Sequence, residues 1–235
     1  MIKQIYQGRT GNLLPQLVGM SILSEKLNLK VENYKSIDFF EPLGFKVFSE
    51  GEKKVENLII KKDDSLIDLL QGKNTENVGI LYDGTYQVKN FVLEYKDKIK
   101  SHFSNEFEKN ENLFVHIRLG DVSYLNTGFD YYKKSIEKCN YKKGFISSDS
   151  PDSTMVQRLS KEFSLEICTI DNPTLLIDFA RKSKNLVLSK GTLSWWMGLL
   201  SNADRIFVPG TINYPNKNLD FTGDIFVYDD WIFEE

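Results

Sequence analysis

Short apolar runs alternate with amphipathic stretches along the second half of the chain. The apolar runs have the length and composition of buried strands, and the stretches between them repeat apolar positions at helical spacing. The predicted strands are residues 113–118, 144–148, 165–170, 186–188 and 205–208. The predicted helices are residues 130–139, 151–163, 173–183 and 192–201, and the third is opened by Pro173 behind a cap at Asp171 or Asn172. This alternation predicts a parallel sheet with helices on both faces.

The first half of the chain shows the same alternation less clearly. Its predicted strands are residues 3–6, 45–48, 55–60 and 78–81, and its predicted helices are residues 13–27 and 88–103. The polar stretch from Ser104 to Glu111 separates the two halves. We therefore predict two Rossmann-like, doubly wound α/β domains, residues 1–108 and 109–235, that face a cleft. Such a cleft is the default place for a ligand.

Composition and charge narrow the classes of function. The 235 residues are 41% hydrophobic and 27% charged, which is ordinary for a globular protein. The net charge of −3 excludes a positive potential over the whole surface that would attract nucleic acid or an anionic membrane. A bound anion therefore needs local positive charge. Two cysteines and two histidines are too few for a disulfide framework or a histidine-rich metal centre.

The sequence shows neither a signal-like start nor a long apolar run. No stretch reaches the roughly 18 uninterrupted apolar residues of a membrane span. Residues 1–6 do not combine a basic segment with an apolar run. We therefore expect a cytoplasmic protein without stable membrane insertion, with the surface of a membrane as an alternative place of action.

The first candidate for chemistry is the strand end at residues 116–121, which reads His-Ile-Arg-Leu-Gly-Asp. Side chains alternate along a strand, so His116 and Arg118 point to one face. Open parallel sheets bind ligands at the carboxyl ends of their strands, and the planar guanidinium of Arg118 suits a phosphate. Gly120 lets the backbone approach a ligand closely. The alternative is an ion pair between Arg118 and Asp121 that only fixes a turn.

The second candidate is the segment 188–196, in which a predicted strand runs through a glycine turn into a helix. Free N–H groups and the helix dipole make such a helix start an anion site. The hydroxyl groups of Ser189, Thr192 and Ser194 add possible donors. The alternative is that Thr192 or Ser194 only caps the helix, and that the two tryptophans after them pack in the core.

Two further turns carry weaker signals. Ser148 and Asp149 follow the predicted strand 144–148, where they either contact a ribose or base or belong to a helix cap. The turn from Gly8 to Asn12 lacks the third glycine and the downstream acid of a dinucleotide fingerprint, which argues against a generic dinucleotide-binding protein.

Taken in order, these segments resemble the bacterial and animal alpha-1,2-fucosyltransferase family and the wider group of fucosyltransferases that use GDP-fucose. The resemblance covers most of the chain. It rests on Gly8, Gly11, Asn12 and Gln16 in the first turn, Gly-Thr-Tyr-Gln at 84–87, residues 115–121, Asp-Tyr-Tyr at 130–132, Phe-Ile-Ser-Ser-Asp at 145–149, Asp178, and residues 189–196.

The resemblance implies a fold of the GT-B type, with the acceptor on the N-terminal domain and the donor held mainly by the C-terminal domain. It implies a metal-independent, inverting transfer of fucose from GDP-fucose, as co-substrate, to a hydroxyl of a glycan acceptor. The implied catalytic residues are Arg118 on the diphosphate, and His116 and Asp121, which position the turn or contact the sugar. The implied donor-binding residues are Gly11, Asn12, Arg118, Ser148, Asp149 and Asp178, the last two for the nucleoside, and Ser189, Thr192 and Ser194 for the phosphates.

The chain departs from the family pattern in several places. Leu119 stands where the family usually has a second arginine, and Ser150 stands in place of a second acid. Gln7 and Arg9 alter the first turn. Two alternatives therefore stay open: a transferase that uses another GDP-sugar, and a non-catalytic module of the same fold that binds a nucleotide or a sugar.

Overall fold

The computed structural model describes residues 1–32, 34, 37–47, 51–73, 75–120, 126–210 and 225–234. Contacts divide these residues into two compact units. The first unit contains the described residues up to Ser104 together with residues 225–227. The second contains the described residues from 105 to 210 and residues 228–234. Each unit is an α/β structure around a parallel sheet.

The sheet of the first unit has three parallel strands in the order β1-β3-β2. These strands are β1 (Ile2–Gln4), β2 (Leu58–Lys61) and β3 (Gly79–Tyr82). Its helices are α1 (Thr10–Leu27), α2 (Leu66–Leu70), α3 (Lys89–Glu94) and α4 (Lys96–Ser101), with short 3-10 helices at Ile37–Leu43 and Asp63–Ser65. The prediction of a strand at 45–48 was wrong for residues 45–47, which are irregular. The predicted helix 88–103 is interrupted at Tyr95.

The sheet of the second unit has six parallel strands in the order β6-β5-β4-β7-β8-β9. They are β4 (Asn110–Ile117), β5 (Gly144–Ser148), β6 (Leu165–Ile167), β7 (Ser183–Val187), β8 (Arg205–Pro209) and β9 (Ile232–Glu234). Counted within this unit, the order is 3-2-1-4-5-6, which is the order of a Rossmann-type sheet. The sequence did not predict β9. It predicted β5 with the bounds that the structure has.

Helices cover both faces of this sheet, as predicted. They are α5 (Phe129–Glu137), α6 (Thr154–Phe163), α7 (Pro173–Ala180) and α8 (Thr192–Leu199). Leu113, Val115 and Ile117 of β4 form one core cluster with apolar residues of α5 and α6. On the opposite face of β4, Phe114 packs edge-on against Phe179 of α7, and His116 contacts α8.

The paired tryptophans of α8 belong to the core. Trp195 and Trp196 are 2% and 0% exposed, and their rings meet edge to face with centroids 4.7 Å apart. The core-packing alternative for these residues is therefore confirmed. Within the described ranges, the structure contains no helix with the length and apolar character needed to cross a membrane.

The start of α7 offers a test of the local sequence signals. The side chain of Asn172 accepts hydrogen bonds from the backbone N–H groups of Thr174 and Leu175, at 2.9 and 3.3 Å. Asn172→Ala leaves these donors without that acceptor, so we expect a loss of about 1 kcal/mol in the free energy of unfolding. Asn172→Asp keeps an acceptor at the same place and is expected to lose much less. Chemical denaturation of the three proteins checks this, and equal stability of all three would contradict the capping role.

Candidate functional site

The carboxyl ends of β4, β5 and β7 lie side by side in the second unit. β4 pairs with β5 at Ile117 and Ser148, and it pairs with β7 at Val115 and Val187. The strand order changes direction between β4 and β7. Open α/β sheets bind ligands at such a switch point, just beyond the carboxyl ends of the strands. Three of the predicted segments therefore end at the same edge of the sheet.

Arg118 and Asp149 meet directly at this edge. Nη1 of Arg118 donates a hydrogen bond to Oδ2 of Asp149 and forms an ion pair with it. The backbone N–H groups of Leu119 and Gly120 donate to the two carboxylate oxygens of Asp149, at 2.8 and 3.0 Å. About a quarter of each of the two charged side chains is exposed to solvent. The turn after β4 is thus folded around one carboxylate.

The surroundings of Asp149 keep its carboxyl group ionised. Partial burial opposes ionisation, but the N–H groups of Leu119 and Gly120 and the charge of Arg118 outweigh it and lower the pKa of Asp149. The carboxylate also explains the glycine in this turn. A Cβ at Gly120 would lie 2.5 Å from Oδ2 of Asp149, so a side chain there would displace the carboxylate from the N–H groups that bind it.

His116 links β4 to the first turn of α8. Its Nδ1 atom is hydrogen-bonded to the hydroxyl of Ser194 at 2.6 Å and lies 3.5 Å from the hydroxyl of Ser189. The two serine hydroxyls are 3.0 Å apart, so the three side chains form a closed polar cluster. All three are at most 5% exposed. This cluster spans the switch point between β4 and β7.

Burial decides the protonation state of His116. It lowers the pKa of the imidazole to about 4, while Asp149 opposes this shift and Arg118 adds to it. At neutral pH the imidazole is therefore uncharged, with one nitrogen that donates and one that accepts. His116 can hold the serines through hydrogen bonds, but it carries no charge that would compete with Arg118.

The loop between β7 and α8 adopts a conformation that requires glycine. Gly191 has φ of 147° and directly precedes α8, and no side chain caps this helix. The alternative that Thr192 or Ser194 acts as the helix cap was therefore wrong. Ser194 instead bonds to His116, and Thr192 is the first residue of the helix.

The remaining predicted residues of the second unit lie in different surroundings. Ser148 ends β5, and its hydroxyl accepts a hydrogen bond from the N–H of Ser150 at 3.1 Å. Asp178 lies in the last turn of α7, which leads to the amino end of β7, and its carboxylate binds Arg181 and Lys182 at 2.7 and 2.6 Å. The structure thus does not bring Asp178 to the edge that holds Arg118. Asp121 lies outside the described residues.

Gly11 and Asn12 belong to the first unit, in the first turn of α1. The side chain of Asn12 accepts a hydrogen bond from Gln87 at 3.2 Å, and its carbonyl accepts one from Gln16 at 2.5 Å. The segments 8–16 and 84–87, which are separated in sequence but both part of the family resemblance, therefore meet through amide side chains.

Sequence reasoning missed two features of the site. The first is the contact between Arg118 and Asp149. The sequence contains one signal for this contact: a charged residue directly follows β4, another directly follows β5, and consecutive parallel strands often pair. The second is Lys190, which follows β7 and is only 1% exposed, with Nζ 6.0 Å from the ring centre of Phe233.

Neither a scan against protein-family models nor a search of curated proteins finds a match for this chain. The resemblance to fucosyltransferases consequently rests on the motif residues themselves and on their order along the chain. Geometry adds that the segments 116–120, 145–149 and 189–194 contact one another in the folded protein.

The uncharged state of His116 leads to a prediction about acid stability. The unfolded chain takes up a proton near the ordinary histidine pKa of about 6.5, whereas folded His116 does so only near pH 4. The unfolded state therefore gains stability as the pH falls through this window. Between pH 7 and pH 5 we expect His116 to reduce the free energy of unfolding by about 2 kcal/mol.

The variant His116→Asn checks this expectation by chemical denaturation at several pH values. Asparagine keeps an amide that can bond to Ser194 but has no proton to gain, so the loss of stability between pH 7 and pH 5 should be smaller by about 2 kcal/mol. His102 is buried as well, with its pKa lowered to about 4 by burial, and it remains in the variant as an internal comparison. If the free energy of unfolding of His116→Asn depends on pH as that of the wild type does, the imidazole of His116 has the same pKa in the folded and the unfolded protein.

Proposed function

We propose that this chain is a glycosyltransferase that transfers fucose from GDP-fucose to a hydroxyl of a glycan acceptor. The donor binds at the carboxyl ends of β4, β5 and β7, and the two units form a GT-B arrangement. Arg118 binds the diphosphate. The hydroxyl of Thr192 and the start of α8 serve the same phosphates, whereas the buried hydroxyls of Ser189 and Ser194 bind His116 and hold the loop before α8.

The hydrogen bond between His116 and Ser194 is the observation that carries this proposal. It joins two segments 78 residues apart in sequence, and both are segments that the fucosyltransferase resemblance assigns to the donor. The bond lies at the switch point of a parallel sheet of Rossmann-type order, where nucleotides bind in proteins of this architecture. Arg118 and the start of α8 follow two neighbouring strands, β4 and β7, and a guanidinium and a helix start both favour an oxyanion.

The proposed glycosyl transfer requires stabilisation of a leaving group. The acceptor hydroxyl gives its proton to a general base as its oxygen attacks the anomeric carbon of the sugar. The bond from that carbon to the phosphate oxygen breaks, and GDP departs with the electron pair. Negative charge builds up on the diphosphate in the transition state. An arginine held in a fixed orientation stabilises this charge without reorganising during the reaction.

One observation favours a second candidate, a transferase for another GDP-sugar. The family usually has a second arginine where this chain has Leu119, and the side chain of Leu119 packs against the core cluster of the second unit. One guanidinium is therefore replaced by an apolar contact. A panel of GDP-sugars in a transfer assay separates the two candidates, since the preferred donor should give the highest kcat/KM.

The nucleotide preference can be measured without knowing the acceptor. We expect GDP to bind about tenfold or more tightly than UDP or ADP in the presence of EDTA, because specific hydrogen bonds to guanine contribute about 1.5 kcal/mol or more. Isothermal titration calorimetry with the three nucleotides tests this expectation. Binding of GDP that appears only after manganese is added would refute a metal-independent donor site.

Arg118→Lys tests the role assigned to the guanidinium. Lysine keeps the positive charge beside Asp149 but loses the planar, two-pronged contact to a diphosphate. We expect a folded protein with a melting temperature close to that of the wild type and a transfer rate about a hundredfold lower, which corresponds to about 3 kcal/mol.

A surface arginine supplies the matched control. Arg158 lies on α6 with 62% of its side chain exposed and its guanidinium over the ring of Phe129, so Arg158→Lys should leave the transfer rate unchanged. If Arg118 only fixed a turn, Arg118→Lys would keep full activity and Arg118→Ala would lower the melting temperature. Full activity of a folded Arg118→Lys protein therefore contradicts the proposed role.

A further inference from the structure

The carboxylate of Asp149 is the centre of the turn that follows β4. It accepts one hydrogen bond from the guanidinium of Arg118 and one each from the N–H groups of Leu119 and Gly120. The backbone bonds measure 2.8 and 3.0 Å, which is normal for charge-assisted contacts. The carboxylate of Asp149 thus binds both the backbone just after Arg118 and the guanidinium of Arg118.

An arginine at a strand end needs such support to act with a fixed orientation. Its side chain has several rotatable bonds, and a surface ion pair with one partner orders it only weakly. Asp149 differs from a surface partner because two backbone N–H groups also bind its carboxylate and fix its position. The β4–β5 pairing at Ile117 and Ser148 brings the two residues opposite each other, so the contact follows from the sheet.

We infer that Asp149 is a positioning residue that orients the guanidinium of Arg118 toward a bound diphosphate, rather than a contact of the nucleoside. This inference rests on the proposed function, since it assigns the diphosphate to Arg118. Asp149 engages Nη1, one of the three nitrogens of the guanidinium. A second, fixed group that holds the side chain of a binding residue keeps that side chain in the orientation its ligand needs.

The opposite role is physically possible and predicts the opposite result. If the carboxylate occupied the place of the diphosphate, its removal would free the donors and GDP would bind more tightly. If Asp149 orients Arg118, its removal loosens the guanidinium and GDP binds more weakly. The sign of the change in GDP affinity therefore decides between the two roles.

The first experiment measures the order of Arg118 without any ligand. The chain contains five arginines, so the side-chain Nε–Hε signals in a ¹⁵N NMR spectrum can be assigned by substitution. We expect Arg118 to be rigid in the wild-type protein and mobile in Asp149→Asn. Asp152→Asn is the matched control, because Asp152 is an exposed acid three residues further along and should leave the Arg118 signal unchanged. An Arg118 signal that is equally rigid in Asp149→Asn overturns the inference.

The second experiment measures GDP affinity by calorimetry in EDTA. We expect Asp149→Asn to weaken GDP binding about tenfold, as supporting partners typically do behind a binding group, and Asp152→Asn to have no effect. In the Arg118→Ala background, Asp149→Asn should change the affinity less than twofold, because the residue acts through Arg118. An equal loss in both backgrounds, or unchanged or tighter binding in Asp149→Asn, overturns the inference.

Two safeguards keep the result interpretable. If Asp149→Asn does not fold, Asp149→Glu retains the charge on a longer side chain, and a smaller loss of GDP affinity is then expected, with wild-type affinity as the contradicting result. If the wild-type protein binds no GDP at all, the proposed function fails. The NMR experiment then decides alone whether Asp149 fixes Arg118.

Discussion

The two ladders that β4 forms with β5 and β7 decide which side chains can meet at the candidate site. β4 is the first strand of its sheet in sequence and lies in the middle of it, with all five residues from Leu113 to Ile117 buried. Because its neighbours run parallel to it, their carboxyl ends emerge at one edge. Arg118 directly follows β4. One neighbour of β4 is β5, which is followed by Asp149, and the other is β7, which is followed by the loop to α8. A shift of either ladder by one residue would turn alternate side chains to the wrong face and separate these groups.

Arg118 and Asp149 at this edge of the sheet are charged, whereas His116 is neutral. The ionised carboxylate of Asp149 pairs with Arg118, and the buried imidazole of His116, with its pKa lowered to about 4, stays neutral beside them. A charged histidine here would repel the guanidinium and would be costly to bury. The neutral ring instead binds Ser189 and Ser194 by hydrogen bonds and adds no positive charge near Arg118.

Local signals in the sequence predicted local structure well. Asn172 and Pro173 opened a helix as expected, and the apolar run at 144–148 was a strand with the predicted bounds. Predictions failed where structure depends on distant partners. The three residues of β9 carry no distinctive pattern, and they form a strand because β8 offers them an edge. For the same reason the contact between Arg118 and Asp149 was not foreseen, since it follows from the pairing register of two strands and not from either segment alone.

Leu119 shows how the site differs from the pattern it resembles. A second arginine at that position would add a cation to the turn, whereas Leu119 packs against the core and leaves the pair of Arg118 and Asp149 electrically balanced. Under the proposed function, a bound diphosphate then needs positive potential from other sources. The start of α8, which follows the adjacent strand β7, supplies N–H groups and a dipole. Under the proposed function, the positive potential comes from Arg118 after β4 and from the start of α8 after β7, and the ladder between these two strands aligns the two groups.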